Sequence, residues 1–233
     1  VSTAALPVGI GAHAAGHAPC PLSATSSESR IRVIVVCEFS GAVRNAFAML
    51  GCDAWSCDIL PSETPGQHLQ CDARDVLDKG WDLMVAHPPC THLAVSGARW
   101  FAAKKREQAE ALDFVRALLT APIPHIALEN PVSVISSRIR KPDQVIQPWQ
   151  YGHGEVKATC LWLVNLPKLI PTQIVEGREA RVHREPPSPD RWKNRSRTLS
   201  GIASAMAGQW APAVILARSQ NVRISDGANV DKP

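Results

Sequence analysis

Residues 33–41 read Val33-Ile34-Val35-Val36-Cys37-Glu38-Phe39-Ser40-Gly41. The stretch opens with an unbroken apolar, β-branched run, the pattern of a strand covered on both faces. A small-residue turn follows at Ser40-Gly41. Beyond it Val43, Ala46, Phe47 and Leu50 recur at helical spacing until Gly51 stops the run. A fully buried strand that turns at once into a helix is the repeating unit of a parallel sheet.

The same reading extends outward. Ala54–Cys57, Asp82–Ala86, Pro124–Leu128 and Thr159–Val164 are further strand candidates. A helix is expected from Lys104 to Leu119, with Ala111, Leu112, Val115, Leu118 and Leu119 on one face, and another from Ile202 to Val214. Strands alternating with helices predict an α/β fold of Rossmann-like type, a mostly parallel sheet with helices on both faces. Ligands of such a sheet bind at the carboxyl ends of its strands.

The chain has 233 residues, 45% of them hydrophobic and 20% charged, enough for one sizeable core. We expect a single domain over residues 31–217, with a short basic insert at about 170–197. Residues 1–30, rich in Ala, Gly, Ser and Pro, read as a disordered leader, and 218–233 as a flexible tail. A net charge of +4 permits nucleic acid as a partner without requiring it. Seven cysteines without a Cys-x-x-Cys pair argue against a disulfide framework and for a reducing cytoplasm. No continuous apolar run in the sequence approaches the roughly twenty residues that span a bilayer, so no membrane partner is expected.

Three polar clusters fall at expected strand ends: Glu38-Phe39-Ser40-Gly41, His87-Pro88-Pro89-Cys90 and Glu129-Asn130-Pro131. Gly41 would let the backbone approach a ligand, or serve an ordinary turn. Asp58 could bind a ribose diol and Asp72 an adenine amino group, or both could cap turns. Two prolines fix the backbone before Cys90, whose thiolate is a natural nucleophile. Glu129, expected to be partly buried with a raised pKa, could donate a proton, or sit at a helix start. His87, Cys90 and His92 have no second ligand pair at zinc spacing, so no metal is expected.

In this order, Phe39-Ser40-Gly41, Pro88-Pro89-Cys90 and Glu129-Asn130 resemble the motifs of DNA (cytosine-5) methyltransferases, in a compact, phage-type form. Tyr151-Gly152 leading to Lys157 and Thr159, and Ser200-Gly201-Ile202-Ala203, resemble later motifs of that family. The resemblance spans about residues 31–212, and the separation of Cys90 from Glu129, about forty residues, suits it. It departs from the family at Val43, where a second glycine is usual, at Pro131, where valine is usual, and at Lys157, where arginine is usual.

The resemblance implies an S-adenosylmethionine-dependent methyltransferase fold and a cytosine flipped out of duplex DNA. Cys90 would be the nucleophile, Glu129 would protonate N3, and Asn130 would hold the loop or base. Phe39, Ser40, Gly41, Asp58, Asp72 and Pro88 would line the cofactor site. Pro89, Lys104, Lys105, Lys157, Thr159, Arg191, Lys193, Arg195 and Arg197 would face base and DNA. Such an enzyme would act in the cytoplasm of a bacterial host. Amino-group DNA methylation, C5 modification of a pyrimidine nucleotide, and a degenerate DNA-binding relative stay open as alternatives.

Overall fold

The computed structural model describes residues 30–227. The expected leader, Arg30 apart, and the end of the expected tail lie outside the described residues. Along the chain run β1 (Arg32–Val36), α1 (Ala42–Met49), β2 (Asp53–Asp58), β3 (His68–Gln70), β4 (Leu83–Ala86), α2 (Lys105–Leu119), β5 (His125–Pro131), α3 (Ile135–Arg138), β6 (Gln144–Ile146), β7 (Thr159–Val164), α4 (Arg181–Arg184), α5 (Arg191–Ser196) and α6 (Ser200–Gly227).

The strands form one seven-stranded sheet in the order β3-β2-β1-β4-β5-β7-β6. Pairing is parallel from β3 through β5, while β7 runs antiparallel to both β5 and β6. The order reverses between β1 and β4, and this switch point leaves a crevice at the carboxyl edge. The fold is therefore Rossmann-like, as the alternation of strands and helices predicts.

Side chains alternate along each strand, so the two faces collect separate cores. Val33, Val35, Val85 and Ala127 pack with Val43 and Phe47 of α1 and with Met206 and Trp210 of α6. Ile34, Val36, Met84, Ala86 and Leu128 pack with Leu112, Val115 and Leu118 of α2 and with Ile135 of α3. Gly51 ends α1 in a left-handed conformation, φ 82°, as its sequence position suggests.

Several elements differ from expectation. The two three-residue strands β3 and β6 carry polar residues and too few positions for a period to show. Strand β5 continues through Glu129-Asn130-Pro131, which the sequence places beyond its end. Its parallel pairing with β4 stops at Leu128, but β7 pairs with it as far as Pro131. Helix α6 begins before Ile202 and runs past both Val214 and Ala217. The stretch Arg191–Gln220 is long and apolar enough to cross a bilayer by length and composition alone, contrary to the sequence reading. Ala-rich composition disguised it, and Met206, Trp210 and Val214 of this stretch are buried in the core.

Candidate active site

Beyond Leu128 the β4 side of β5 is unpaired, and the segment His87–Cys90 runs along that gap. The His87 amide donates to the Val36 carbonyl at 3.0 Å, which keeps the segment in line with the sheet for one more residue. Asn130, fully buried on β5, then donates its side-chain amide to the Pro88 carbonyl at 2.8 Å. Neither Pro88 nor Pro89 has an amide proton, so this bond takes the place of lost ladder contacts. The Cys90 carbonyl accepts from the amides of Leu93 and Ala94, at 3.0 and 2.9 Å. The loop is thus held on both sides of Cys90, while Pro89 and Cys90 themselves are exposed.

Behind the loop lies Glu129. Its Oε2 is 3.3 Å from His87 Nδ1. Burial pushes its pKa up, but the His87 hydrogen bond, the positive charge of Lys157 and the Thr159 hydroxyl together outweigh it. The carboxyl is held below the ordinary glutamate value, which corrects the expectation of a raised pKa. The sequence points only to desolvation, whereas the opposing partners are His87 just after β4, Lys157 just before β7 and Thr159 at the start of β7. The Cys90 thiol moves the other way. Although the residue as a whole is exposed, the protein atoms packed around its sulfur desolvate it, and this and the charge of Glu129 raise its pKa, against the pull of Lys157 and Arg195. At neutral pH the pair is a thiol beside a carboxylate.

Across the switch point, Gly41 adopts φ 70° at the start of α1. The space where a Cβ would sit is taken by Thr64 and the Arg44 guanidinium. Arg44 is buried and donates to Ser56 Oγ at 3.0 Å, to Thr64 O at 3.1 Å and to Pro65 O at 2.8 Å, so it ties the segment after β2 to α1. Glu38 accepts from the Val43 and Arg44 amides at 2.6 and 3.1 Å. The free amides at the start of α1 are therefore satisfied by the chain's own carboxylate. Phe39 is buried, and Ser40 Oγ accepts from Ala42 N at 3.3 Å, a local turn bond.

Asp58 lies at the end of β2 and accepts from Leu60 N at 3.0 Å; burial raises its pKa. Asp72 caps a short 3-10 turn, accepting from Arg74 N at 2.8 Å and pairing with the Arg74 guanidinium at 3.1 Å. Of the two readings open for Asp72, the cap describes its contacts here.

The basic residues divide. Lys104 and Lys105 are exposed at the start of α2. Lys157, Thr159 and Arg197 line a cleft with Glu129, Pro148 and Leu199. Lys157 Nζ donates to the Arg195 carbonyl at 3.1 Å. Arg197 forms a two-pronged pair with Glu63 at 2.9 and 2.8 Å, and Arg191 donates to the Glu185 carbonyl at 2.6 Å. Arg195 Nε is buried with no partner among the described residues. Lys193 stands beside the Trp192 ring, which meets Phe39 at 5.8 Å. The insert thus folds back over the carboxyl edge, and Arg191 and Arg197 are committed to contacts within the chain.

The two late motifs meet each other. A Cβ on Gly201 would collide with the Tyr151 carbonyl, and the Gly201 amide donates to His153 Nε2 at 3.0 Å. The start of α6 can approach the Tyr151-Gly152 turn this closely only because residue 201 is glycine.

Sequence reasoning places Glu38 and His87 in strand-end clusters but gives Glu38 no role and weighs His87 as a metal ligand, and it misses Arg44. Among the described residues, no group of three or more His, Cys, Asp or Glu side chains could hold a metal ion. The sequence does hold a signal for His87 and Glu38: both are ionisable residues set directly after apolar strands.

No protein-family model and no curated protein matches the chain. Among solved structures it has a distant likeness, at 15% identity and a TM-score of 0.44, to a candidate DNA modification methyltransferase encoded within a prophage of E. coli. The match covers 68% of this chain and 56% of the other, so the chain spans little more than half the length of that relative.

Proposed function

We propose that this protein methylates cytosine at carbon 5 in DNA, with S-adenosylmethionine as donor and Cys90 as nucleophile. The observation that carries the reading is the Cys90–Glu129 pair: a thiol on a clamped Pro-Pro loop, beside a carboxylate held ionised by His87, Lys157 and Thr159. Addition to a pyrimidine needs a nucleophile at C6 and a proton at N3, and such a pair can supply both.

The cofactor is supported by the chemistry of the switch-point crevice. Glu38 occupies the amides at the start of α1, where a dinucleotide would place its pyrophosphate. That carboxylate repels a phosphate but tolerates a cationic, phosphate-free donor. Asp58, at the end of β2, suits a ribose diol. Phe39, Ser40, Gly41 and Pro88 would complete the cofactor side, with Asp72 there only if it exchanges its Arg74 contacts for the adenine. When bound, S-adenosylmethionine supplies an electrophilic methyl group.

The proton inventory follows from the two side chains. As Cys90 Sγ bonds to C6 of a flipped-out base, its proton passes to Glu129 and on to N3. The C5=C6 double bond is spent and C5 becomes nucleophilic. After methyl transfer a base removes the C5 proton, the Cys90–C6 bond breaks, and Glu129 takes back the N3 proton and returns it to sulfur. Asn130 keeps the nucleophile loop in place. Lys157 and Thr159 stabilise the Glu129 carboxylate. Pro89, Lys104, Lys105, Lys193 and Arg195 are proposed to face the DNA, where lysine and arginine contact phosphates.

The test is transfer of labelled methyl groups to unmodified duplex DNA, with nucleoside mass spectrometry of the product. We expect 5-methylcytosine with the native chain and at least a 10³-fold loss, on the order of what a missing nucleophile costs, with Cys90→Ala. Methylation on an exocyclic nitrogen that survives Cys90→Ala would overturn the reading.

A further inference from the structure

His87 directly follows β4, the central strand of the crevice, and lies between the buried Glu38 and the half-buried Glu129. Strand β4 pairs with β1 on one side and β5 on the other, with Val36, Ala86 and Leu128 in register. The next residue of β4 is His87 and the next of β5 is Glu129. On the β1 side the left-handed backbone of Cys37, φ 59°, breaks the alternation, and Cys37 packs with the α2-side core. Glu38 is then the β1 group whose charge acts on His87.

Within this setting the imidazole is asymmetric. Nδ1 meets Glu129 Oε2 at 3.3 Å, whereas Nε2 is buried with no hydrogen-bond partner among the described residues. A carboxylate is only an acceptor, so Nδ1 carries the proton in this contact. The ring is one-tenth exposed and cannot exchange Glu129 for bulk water without leaving its place.

We propose that His87 is a positioning residue for the reaction, donating Nδ1–H to Glu129 Oε2 to fix the orientation and charge of the carboxylate that relays the Cys90 proton to the base. This rests on the function proposed above and deepens it. The groups facing the His87–Glu129 pair are Glu38 beyond the end of β1, Cys90 from the same loop as His87, and Lys157, Thr159 and the buried Cys160 from the β7 side. Lys157 and Thr159 favour the Glu129 carboxylate from one side. His87 supplies the remaining donor, from the side of the nucleophile loop. No atom is consumed: the imidazole keeps its proton while Glu129 gains one from sulfur and passes it to N3.

Two substitutions separate this role from mere packing. His87→Leu removes the donor and keeps bulk. His87→Asn places an amide donor where Nδ1 stands and cannot titrate. The first readout needs neither cofactor nor DNA: NMR titration of carboxyl-labelled protein, with the Glu129 signal identified by its loss in Glu129→Gln. The Glu129 midpoint should rise by roughly one unit or more in His87→Leu, because burial is then opposed by fewer partners, and should return toward the native value in His87→Asn. The second readout is activity. His87→Leu should lower kcat about 10–100-fold with little change in KM and move the acid limb of its pH profile upward, and His87→Asn should restore both. A Glu129 midpoint unmoved in a folded His87→Leu, or an Asn variant that behaves like Leu, overturns the proposal. If the titration behaves as expected while the native chain shows no methyl transfer, the reaction assignment fails and the His87–Glu129 coupling stands.

Discussion

Cys90 and Glu129 illustrate how little a side chain's identity says about its ionisation. The same burial raises both, yet Glu129 ends below its ordinary value because His87, Lys157 and Thr159 all reach it, whereas Cys90 faces the negative charge of Glu129. A stability consequence follows from linkage. Because the folded-state pKa of Glu129 is depressed, the carboxylate's stabilising contribution is complete above the unfolded value of about 4.3 and is lost as pH falls through the lower folded value. In urea melts, the stability of native protein relative to Glu129→Gln should hold steady from about pH 7 to 5 and then fall below about 4.3. A relative stability that rises with acid would contradict the assigned direction. Cys90 and Glu129 were picked out from the sequence because each comes after an apolar strand, Cys90 behind two prolines and Glu129 ahead of Asn130-Pro131. The low pKa of Glu129 was not, because its partners come from elsewhere in the chain, with His87 42 residues away.

The element that organises the β1 side of the crevice is the β1–α1 turn. Glu38 satisfies the first amides of α1, Gly41 takes a left-handed conformation, and Arg44 reaches from the helix to the segment after β2. Gly41→Ala should destabilise the fold by about 1–3 kcal/mol, since alanine is strained at positive φ and its methyl would displace Thr64 and Arg44. Chemical denaturation would measure this, and an unchanged midpoint would show that the turn relaxes freely. Sequence reading assigned Gly41 a turn or a ligand approach. The contact is instead with the chain's own Thr64 and Arg44, and no local pattern marks Thr64, 23 positions along the chain, as a neighbour. Strand β5 teaches the same lesson. Its apolar run ends at Leu128, but pairing with β7 carries it to Pro131 and brings Asn130 under the Pro88 carbonyl.

At the scale of the whole molecule, the insert decides how charge is displayed. It folds over the carboxyl edge, with Trp192 on Phe39 and Arg197 on Glu63. Lys104 and Lys105 remain exposed at the start of α2, a short way along the chain from Cys90. If they contact phosphates as proposed, replacing both with alanine should weaken DNA binding at low salt and reduce the slope of log affinity against log salt by roughly 1.8, about 0.9 for each contact. An unchanged slope would make them ordinary solvated surface charges.

The sequence by itself determined the alternation of buried strands and amphipathic helices, and with it the mostly parallel sheet covered by helices on both faces. Those follow from local periodicity, which reports burial residue by residue. Only the tertiary structure decided which polar groups meet at its carboxyl edge. Glu38 on the helix amides, His87 on Glu129 and Asn130 on Pro88 are pairings across adjacent strands and the turns that follow them, set by strand order and register. Hydrogen bonds and charges act over a few ångströms in space, and the chain's folding, not its spacing, determines which groups come that close.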